Sequence, residues 1–192
     1  MMARPREFEL DDAVTKAMNV FWQHGYRGTS LPHLLEGMGI TRGSLYKAFG
    51  SKKDLFLRAL DRYEQDYVNP GVDLLMGADG DGGKRIVAVF DTALRGVDCG
   101  ETRGCLLCNT IAEADDGDIT AQVQRMEERL TTAFRKALQE EPIASDLDAD
   151  SLDEEAANLT QNYVGLRILA RGENDATALR KGAEARLRQL RG

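Results

Sequence analysis

The spacing of apolar residues constrains the fold of this chain more than any other feature. In the first helical segment they recur at intervals of three and four: Leu10, Ala13, Val14, Ala17, Met18 and Phe21. This period places them on one face of an α-helix. Comparable patterns lie at about 84–97, 104–115, 118–140, 152–171 and 174–190, and no segment has a convincing strand pattern. The sequence therefore predicts an all-α protein.

Glycines and capping residues divide the residues after this first segment into three further helices. Helix ends are predicted at Gly25, Gly39 and Gly50, and N-caps at Thr29 or Ser30, Thr41 and Ser51. The third helix has barely two turns, and its apolar face would be Leu45, Ala48 and Phe49. Two short helices joined by a tight glycine turn form a helix-turn-helix, whose second helix enters the DNA major groove.

Charge is distributed unevenly along the chain. The net charge is −7, but residues 1–53 contain eight basic and five acidic residues, which gives that part +3 and leaves −10 for the rest. A basic end joined to an acidic body suggests a module that binds a polyanion and a second part with another task. Arg4 and Arg6 could extend the basic end as an arm along DNA, or belong to a disordered tail.

The residues left on the outer face of the third helix suit DNA. Arg42 can make a bidentate pair with guanine, and Ser44 can donate or accept a hydrogen bond. Tyr46 and Lys47 can reach phosphates, and Gly43 permits close approach of the backbone. Lys52 and Lys53 lie in the first turn of the next helix, where cations oppose the helix dipole unless an anion such as phosphate binds in front of them.

At this point the sequence resembles the TetR family of transcriptional repressors. The resemblance runs through FWQHGYRGTSLPHLLEGMGITRGSLYKAFGSKKDLFLRALDRY, residues 21–63. It implies an N-terminal three-helix DNA-binding domain, residues 1–50, and a larger helical domain for effector binding and dimerisation, residues 51–192. It also implies a cytoplasmic homodimer that binds a palindromic operator in double-stranded DNA and is released by a small effector. The matching DNA-contact positions are Thr29, Thr41, Arg42, Gly43, Ser44, Tyr46, Lys47 and Lys52. Many members have a histidine where this chain has Ala48, so Lys47 is expected to make that phosphate contact.

Two cysteines in the segment RGCLLCNT are candidate sensing residues. Cys105 and Cys108 are three residues apart at a predicted helix start, so they share a face, and this position can lower a thiol pKa. Packing as small buried hydrophobes is one interpretation. The Gly-Cys pattern also resembles a TetR branch that senses electrophiles or oxidants through the equivalent of Cys105. A third interpretation is a copper-responsive site, because a C-x-x-C pair suits a soft metal. Cys99 could join either arrangement or be inert.

Effector and dimer surfaces are expected behind the DNA-binding part. Candidate pocket residues are Tyr63, Tyr67, Phe90, Asn109, Met126 and Tyr163, each of which could equally be plain core. Two apolar stripes, Leu159, Tyr163, Leu166 and Leu169, and Leu179, Ala183, Leu187 and Leu190, are predicted to pair across a two-fold axis in a four-helix bundle.

No other chemistry is predicted from the sequence. The two histidines, His24 and His33, have neither a nucleophile's nor a metal site's spacing, and no complete phosphate-binding or calcium loop is present. No apolar run is long enough for a membrane span or a secretion signal. We therefore expect neither an enzyme nor a protein with a cofactor or resident metal.

Overall fold

The computed structural model describes residues 4–78, 81–98, 103–113, 115–140 and 147–169, together with four single helical positions, 177, 181, 185 and 188. The expected all-α fold is confirmed, and no strand occurs in these ranges. The helices are α1 (Arg4–Gly28), α2 (Leu31–Met38), α3 (Arg42–Phe49), α4 (Lys52–Tyr63), α5 (Asn69–Met76), α6 (Gly82–Asp98), α7 (Leu106–Glu113), α8 (Gly117–Gln139) and α9 (Ala149–Leu169). None of the helices in the described ranges is long and apolar enough to span a membrane.

The boundaries of the first helices follow from local cap chemistry. At Gly25 the backbone leaves the helical region at φ 73°, which glycine adopts without strain, so α1 kinks there. Ser30 is the N-cap of α2 and forms a capping box with His33. Gly39 ends α2 in the left-handed conformation, and Thr41 caps α3 by accepting the Ser44 N–H. Arg4 and Arg6 belong to α1 and do not precede it as an arm.

Helix α4 continues into α5 through a π-helical turn, Glu64–Val68. Pro70, in the first turn of α5, has no N–H and would clash with the carbonyl four residues earlier in a regular helix. The wider π-turn removes that clash. The chain therefore remains helical through Pro70 and brings Tyr63 and Tyr67 together, with their rings stacked at 5.1 Å between centroids.

The second part of the molecule is arranged around α8. Helix α8 packs against α5, α6 and α9, and α7 packs against α1. Gly82 permits the close approach of α6 to α8, because a Cβ there would lie 1.7 Å from the Ala137 carbonyl oxygen. One continuous core runs from Phe21 and Trp22 of α1 to Leu159 of α9.

The predicted dimer stripe on α9 needs correction. Leu159 and Leu166 are buried within the protomer, because this side of α9 packs on α8 and α7. Tyr163 is half-buried and also faces inward, whereas Leu169 is 55% exposed. The second stripe, Leu179, Ala183, Leu187 and Leu190, lies outside the described residues, as does Cys99.

Candidate functional site

Helix α3 has the orientation that the helix-turn-helix pattern predicts. Leu45 and Phe49 are buried in the core, and Ala48 is half-buried. The remaining α3 side chains face outward: Arg42, Ser44, Tyr46 and Lys47, with Gly43 and the cap residue Thr41 beside them. Because the apolar residues anchor one side of this two-turn helix, its polar residues form a continuous exposed surface.

The chemistry of this surface suits an anion. No carboxylate among the described residues lies within ion-pairing distance of Arg42 or Lys47. The Arg42 guanidinium lies 5.7 Å from the centre of the Tyr46 ring, within the range of a cation–π attraction. A Cβ at Gly43 would meet no atom of the protein within 4 Å. The fold therefore does not require glycine at this position, whereas close approach of an external molecule would.

Two predicted DNA contacts lie apart from this surface. The Thr29 side chain is 1% exposed, and its hydroxyl donates to the Gly25 carbonyl at 2.5 Å. Its role in this structure is to hold the turn after α1, so the side chain is not presented to DNA as the resemblance implied. The Lys52 ammonium lies 4.7 Å from the centre of the Tyr26 ring, where partial burial lowers its pKa. A phosphate contact by Lys52 stays a prediction.

Lys53, in the first turn of α4, belongs to a contact with α8 that the sequence reasoning missed. Its ammonium pairs with Asp116 at 2.8 Å and with Asp118 at 2.6 Å, both at the N-terminus of α8. These bonds raise the pKa of Lys53 and lower that of Asp116. Beside them Arg27 pairs with Asp115 at 2.6 Å. Basic residues of α1 and α4 therefore meet the acidic corner between α7 and α8.

Cys105 is the N-cap residue of α7. Its carbonyl accepts the Asn109 N–H at 2.9 Å, the first bond of the helix, and Cys108 follows in the first turn. The Tyr63 hydroxyl donates to the Cys105 sulfur at 3.2 Å. The Arg167 guanidinium donates to the same hydroxyl at 3.4 Å. The two thiols, a phenol and a guanidinium, which come from α7, α4 and α9, thus meet in one buried cluster.

The electrostatics of the two thiols differ. The neighbouring Cys108 thiol, the charge of Arg167 and the Tyr63 hydroxyl lower the pKa of Cys105 to about 6, although burial opposes this. The neighbouring Cys105 thiol and burial raise the pKa of Cys108 above its ordinary value. Cys105 is therefore the more acidic thiol of the pair.

A small cavity opens beside the thiols. Its free volume is about 20 Å³, and its walls are Tyr63, Tyr67, Val68, Gly71, Cys105, Leu107, Cys108, Leu130, Tyr163, Val164 and Arg167. Five predicted residues line it: Tyr63, Tyr67, Cys105, Cys108 and Tyr163. Phe90 lies behind Tyr163 at 5.6 Å between ring centres, and Met126 is fully buried core. Arg167 was missed, and its only sequence signal is its position four residues after Tyr163.

The loop that carries Cys105 is tied to α1. The Trp22 indole donates to the Gly104 carbonyl at 3.2 Å. Arg103 lies over the Trp22 ring at 3.9 Å and donates to the Asn19 side chain at 2.9 Å. Asn109, predicted to face a ligand, instead donates to the Arg103 carbonyl at 3.2 Å. The loop that carries Cys105 therefore contacts Trp22 of α1, and the Cys105 sulfur itself contacts Tyr63 of α4.

A metal centre of several ligands is not formed here. The described part of the chain contains no group of three or more histidine, cysteine, aspartate and glutamate side chains able to hold an ion. His24 and His33 stack on each other at 4.6 Å between ring centres, away from the thiols. Any metal at the cluster would have two thiol ligands.

Two family models match the chain. The model for bacterial regulatory proteins of the tetR family matches residues 14–59. The model for the tetracyclin repressor-like C-terminal domain matches residues 82–185, more than half of the chain. The first contains α2, α3 and most of α4, and the second contains the thiol loop and Arg167.

Individual proteins agree with these matches. Over 194 residues the chain is 29% identical to the uncharacterized HTH-type transcriptional regulator YezE of Bacillus subtilis, covering 98% of this chain and 100% of YezE. It is 33% identical over 132 residues to the HTH-type transcriptional repressor BdcR of Escherichia coli, covering 68% of this chain and 66% of BdcR. The solved structure of a cysteine mutant of the TetR family regulator CifR, complexed with 26-bp operator DNA, has a TM-score of 0.80 and 30% identity over 93% of this chain and 95% of that one. The chain belongs to the TetR family of transcriptional regulators.

Proposed function

We propose that this regulator is a repressor that binds a two-fold symmetric operator as a homodimer and releases it when Cys105 is modified. The observation that carries the DNA-binding part is the outer face of α3, with Arg42 and Lys47 exposed while Leu45 and Phe49 are buried. In this proposal Arg42 reads a guanine and Ser44 a neighbouring base edge, whereas Tyr46 and Lys47 hold phosphates.

The division of labour follows the two parts of the chain. Residues 1–50 would bind DNA, and residues 51–192 would hold the effector site and the dimer interface. CifR, a structural relative, is complexed with a 26-bp duplex. That length accommodates two half-sites about one helical turn, ~10 bp, apart. A dimer of this chain with two α3 helices on one side would match such a duplex.

The switch is proposed to act through the contacts of Cys105. Buried interiors are closely packed, so an added group on the Cys105 sulfur displaces its neighbours. These neighbours are Tyr63 of α4 and, through Gly104, Trp22 of α1. The two helices pack against each other, and α4 also packs against α3. Modification would therefore alter the position of α3 in each protomer and the spacing between the two copies.

Two alternative effectors remain to be compared by experiment. Adjacent thiols suit Cu(I), which accepts two sulfur ligands, so a copper-responsive repressor is the second candidate. A noncovalent ligand of ordinary size would have to expand the cavity, since pockets for such ligands are usually about 300 Å³ or more. A DNA-binding protein without an effector would respond to neither.

Selection from a random DNA pool tests the DNA-binding proposal. The selected duplexes should contain two inverted half-sites, and Arg42→Ala should relax base preference within each half-site at a cost of about 1–3 kcal/mol. Glu36→Ala, an exposed change on α2, is the matched control. Selected sites without two-fold symmetry, or an Arg42→Ala protein with unchanged base preference, would contradict the proposal.

Release from the selected operator tests the switch. N-ethylmaleimide should release the wild type and Cys99→Ser but not Cys105→Ser. If copper is the signal, Cu(I) should release the wild type, and both Cys105→Ser and Cys108→Ser should abolish that response. Release of Cys105→Ser by maleimide would reject a switch at this residue, and no release by either agent would favour a noncovalent effector or none.

Sedimentation tests the dimer. Leu166→Glu is unsuitable for this purpose, because Leu166 is buried inside the protomer and the charge would unfold it. Leu169 is 55% exposed at the end of α9, so Leu169→Glu should weaken dimerisation while preserving helicity. An unchanged dimer in this variant would place the interface elsewhere.

A further inference from the structure

We infer that Cys105 and Cys108 are a redox pair, in which Cys105 attacks a small peroxide and Cys108 resolves the product to an intrachain Cys105–Cys108 disulfide. This inference deepens the proposed switch, which requires only that Cys105 be modified. It assigns a role to Cys108 and names the class of oxidant. It rests on the relative position of the two side chains, the hydrogen bonds around them and the size of the cavity.

The position of the pair brings the sulfurs together. Cys105 is an N-cap residue, and Cys108 is the third residue of the helix. In this chain other pairs with the same spacing have their side chains in contact: Thr41 and Ser44 oxygens lie 3.0 Å apart, and Ser51 donates to Asp54 at 2.6 Å. Cys105 and Cys108 also line the same small cavity. Residues three apart have Cβ atoms about 5–6 Å apart on a helix, and a disulfide needs about 3.8 Å. Closing the bond therefore requires only a local movement.

Backbone freedom for that movement lies immediately before the pair. Gly104 has φ 73°, in the region that glycine adopts without strain. Its carbonyl is the acceptor of the Trp22 indole N–H. Movement of Cys105 toward Cys108 therefore also moves the Gly104 carbonyl, which accepts the hydrogen bond from Trp22 of α1. Reduction restores the original spacing, so the change is reversible.

The surroundings assign the two thiols different roles. The Cys105 sulfur accepts a hydrogen bond from the Tyr63 hydroxyl, which in turn accepts one from the Arg167 guanidinium, an environment that stabilises a thiolate nucleophile. Cys108, in the first turn of α7, is the resolving thiol of this proposal. Once Cys105 is oxidised its negative charge is gone, and Cys108 can then lose its proton and attack.

The small volume of the cavity limits which oxidants can reach the thiols. A volume of about 20 Å³ is the space of roughly one water molecule. Hydrogen peroxide, with two oxygen atoms, needs only slight enlargement, and the Arg167 and Tyr163 polar groups can donate to it. The Cys105 thiolate attacks one oxygen, the O–O bond breaks, and Cys105 sulfenic acid forms with hydroxide. The Cys108 thiolate then attacks the Cys105 sulfur and expels a second hydroxide. With the protons released by the two thiols, the products are one disulfide and two water molecules.

Peptide mapping tests the inference with the full chain. Trypsin cleavage after Arg103 and Arg125 yields one peptide with both Cys105 and Cys108, and cleavage after Arg95 yields a separate peptide with Cys99. After hydrogen peroxide treatment and maleimide quenching, the 104–125 peptide should have lost two hydrogen atoms and bind no maleimide until dithiothreitol is added. Cys99→Ser should behave identically.

Single variants assign the roles of the two thiols. Cys108→Ser should stop at a Cys105 sulfenic acid that dimedone traps, and Cys105→Ser should leave Cys108 reduced at the same peroxide dose. A peptide in which Cys105 carries sulfinic acid, or is linked to Cys99 or to another chain, would overturn the inference. So would a Cys108→Ser protein that forms the same disulfide-mass product.

Operator release, measured on the same samples, separates this inference from the proposed switch. A disulfide that forms without DNA release would reject the switch and retain the redox pair. Release by maleimide with no disulfide after peroxide would retain the switch and reject the redox pair.

Discussion

The indole nitrogen of Trp22 donates a buried hydrogen bond of 3.2 Å to the carbonyl oxygen of Gly104. Trp22 lies on α1, in the part of the chain that positions α3, and Gly104 immediately precedes the thiol of Cys105. The Trp22 ring also packs edge-on against Tyr63, the donor to the Cys105 sulfur, at 5.1 Å between centres. One side chain of the DNA-reading part thus touches both groups that a change at Cys105 would displace.

Removing this bond should weaken the coupling between the thiol and DNA. Trp22→Phe keeps an aromatic ring but leaves the Gly104 carbonyl without its donor. The net contribution of a hydrogen bond is about 0.5–1.5 kcal/mol, so the affinity ratio before and after maleimide treatment should shrink by about two- to tenfold. Fluorescence anisotropy with a labelled operator measures this ratio. Tyr26→Phe, also on α1, is the matched control, and a Trp22→Phe ratio equal to that of the wild type would exclude this bond as the transmitter.

The two lysines Lys47 and Lys53 should differ in their effect on the salt dependence of DNA binding. Lys47 is exposed on α3, so Lys47→Ala should reduce the slope of log K against log salt by about one. Lys53 is already neutralised by Asp116 and Asp118, so Lys53→Ala should leave the slope unchanged. Equal slopes for the two variants would show that Lys53 leaves its carboxylates when DNA binds.

Asp116→Asn gives the converse experiment. Asp116 caps α8 by accepting the Asp118 N–H at 3.0 Å, and asparagine is an equally good N-cap. The change therefore removes charge while keeping the helix start. Lys53 then loses one partner, and operator affinity at low salt should rise. Asp150→Asn, an exposed change on α9, should have no effect, and an equal rise in both variants would attribute the gain to net charge alone.

The sequence predicted those features that neighbouring residues determine. Ser30, Thr41 and Ser51 were recognised as caps because each accepts a backbone N–H only three residues ahead. The buried and exposed sides of α3 followed from the spacing of Leu45 and Phe49. The all-α fold followed from the same helical period repeated along the chain.

The contacts that the sequence did not reveal join residues far apart in the chain. Lys53 looked like a free cation because its partners lie more than 60 residues later. Arg167 was not singled out in the sequence, although its guanidinium meets Tyr63 of α4. Leu166 was assigned to the dimer face since the period shows which side of a helix is apolar but not which helix covers it.

The pH dependence of Cys105 alkylation should differ from that of an ordinary thiol. Only the thiolate reacts, and the pKa of Cys105 is lowered to about 6. The rate should therefore be nearly constant between pH 7 and 9 and decline as the pH falls through about 6. An ordinary thiol of pKa about 8.5 gains roughly 25-fold over the same interval. Mass spectrometry of the 104–125 peptide after brief iodoacetamide treatment gives the rate, and a 25-fold gain would contradict the geometry.

Tyr63→Phe identifies one cause of this behaviour. The variant removes the hydroxyl that donates to Cys105 and keeps the ring. Because a donor to the charged form is lost, the pKa of Cys105 should rise and the midpoint of the alkylation profile should move upward by about one pH unit. Tyr46→Phe, on the outer face of α3, is the matched control. A midpoint that stayed in place in Tyr63→Phe would leave Cys108 and Arg167 as the groups that stabilise the thiolate.

Alanine substitution at two glycines of α6 should change the stability of the protein in opposite directions. A Cβ at Gly82 would lie 1.7 Å from the Ala137 carbonyl oxygen of α8, whereas at Gly96 it would meet nothing within 4 Å. Gly82→Ala must push α6 away from α8, and such overpacking destabilises by about 1–3 kcal/mol. For a chain of this size that lowers Tm by roughly 2–4 °C per kcal/mol.

Gly96→Ala should raise the free energy of unfolding by about 0.5–1 kcal/mol, since glycine loses more backbone entropy in a helix. Thermal unfolding followed by far-ultraviolet circular dichroism compares the two, and a Tm that fell equally in both would mean that the α6–α8 approach does not depend on Gly82.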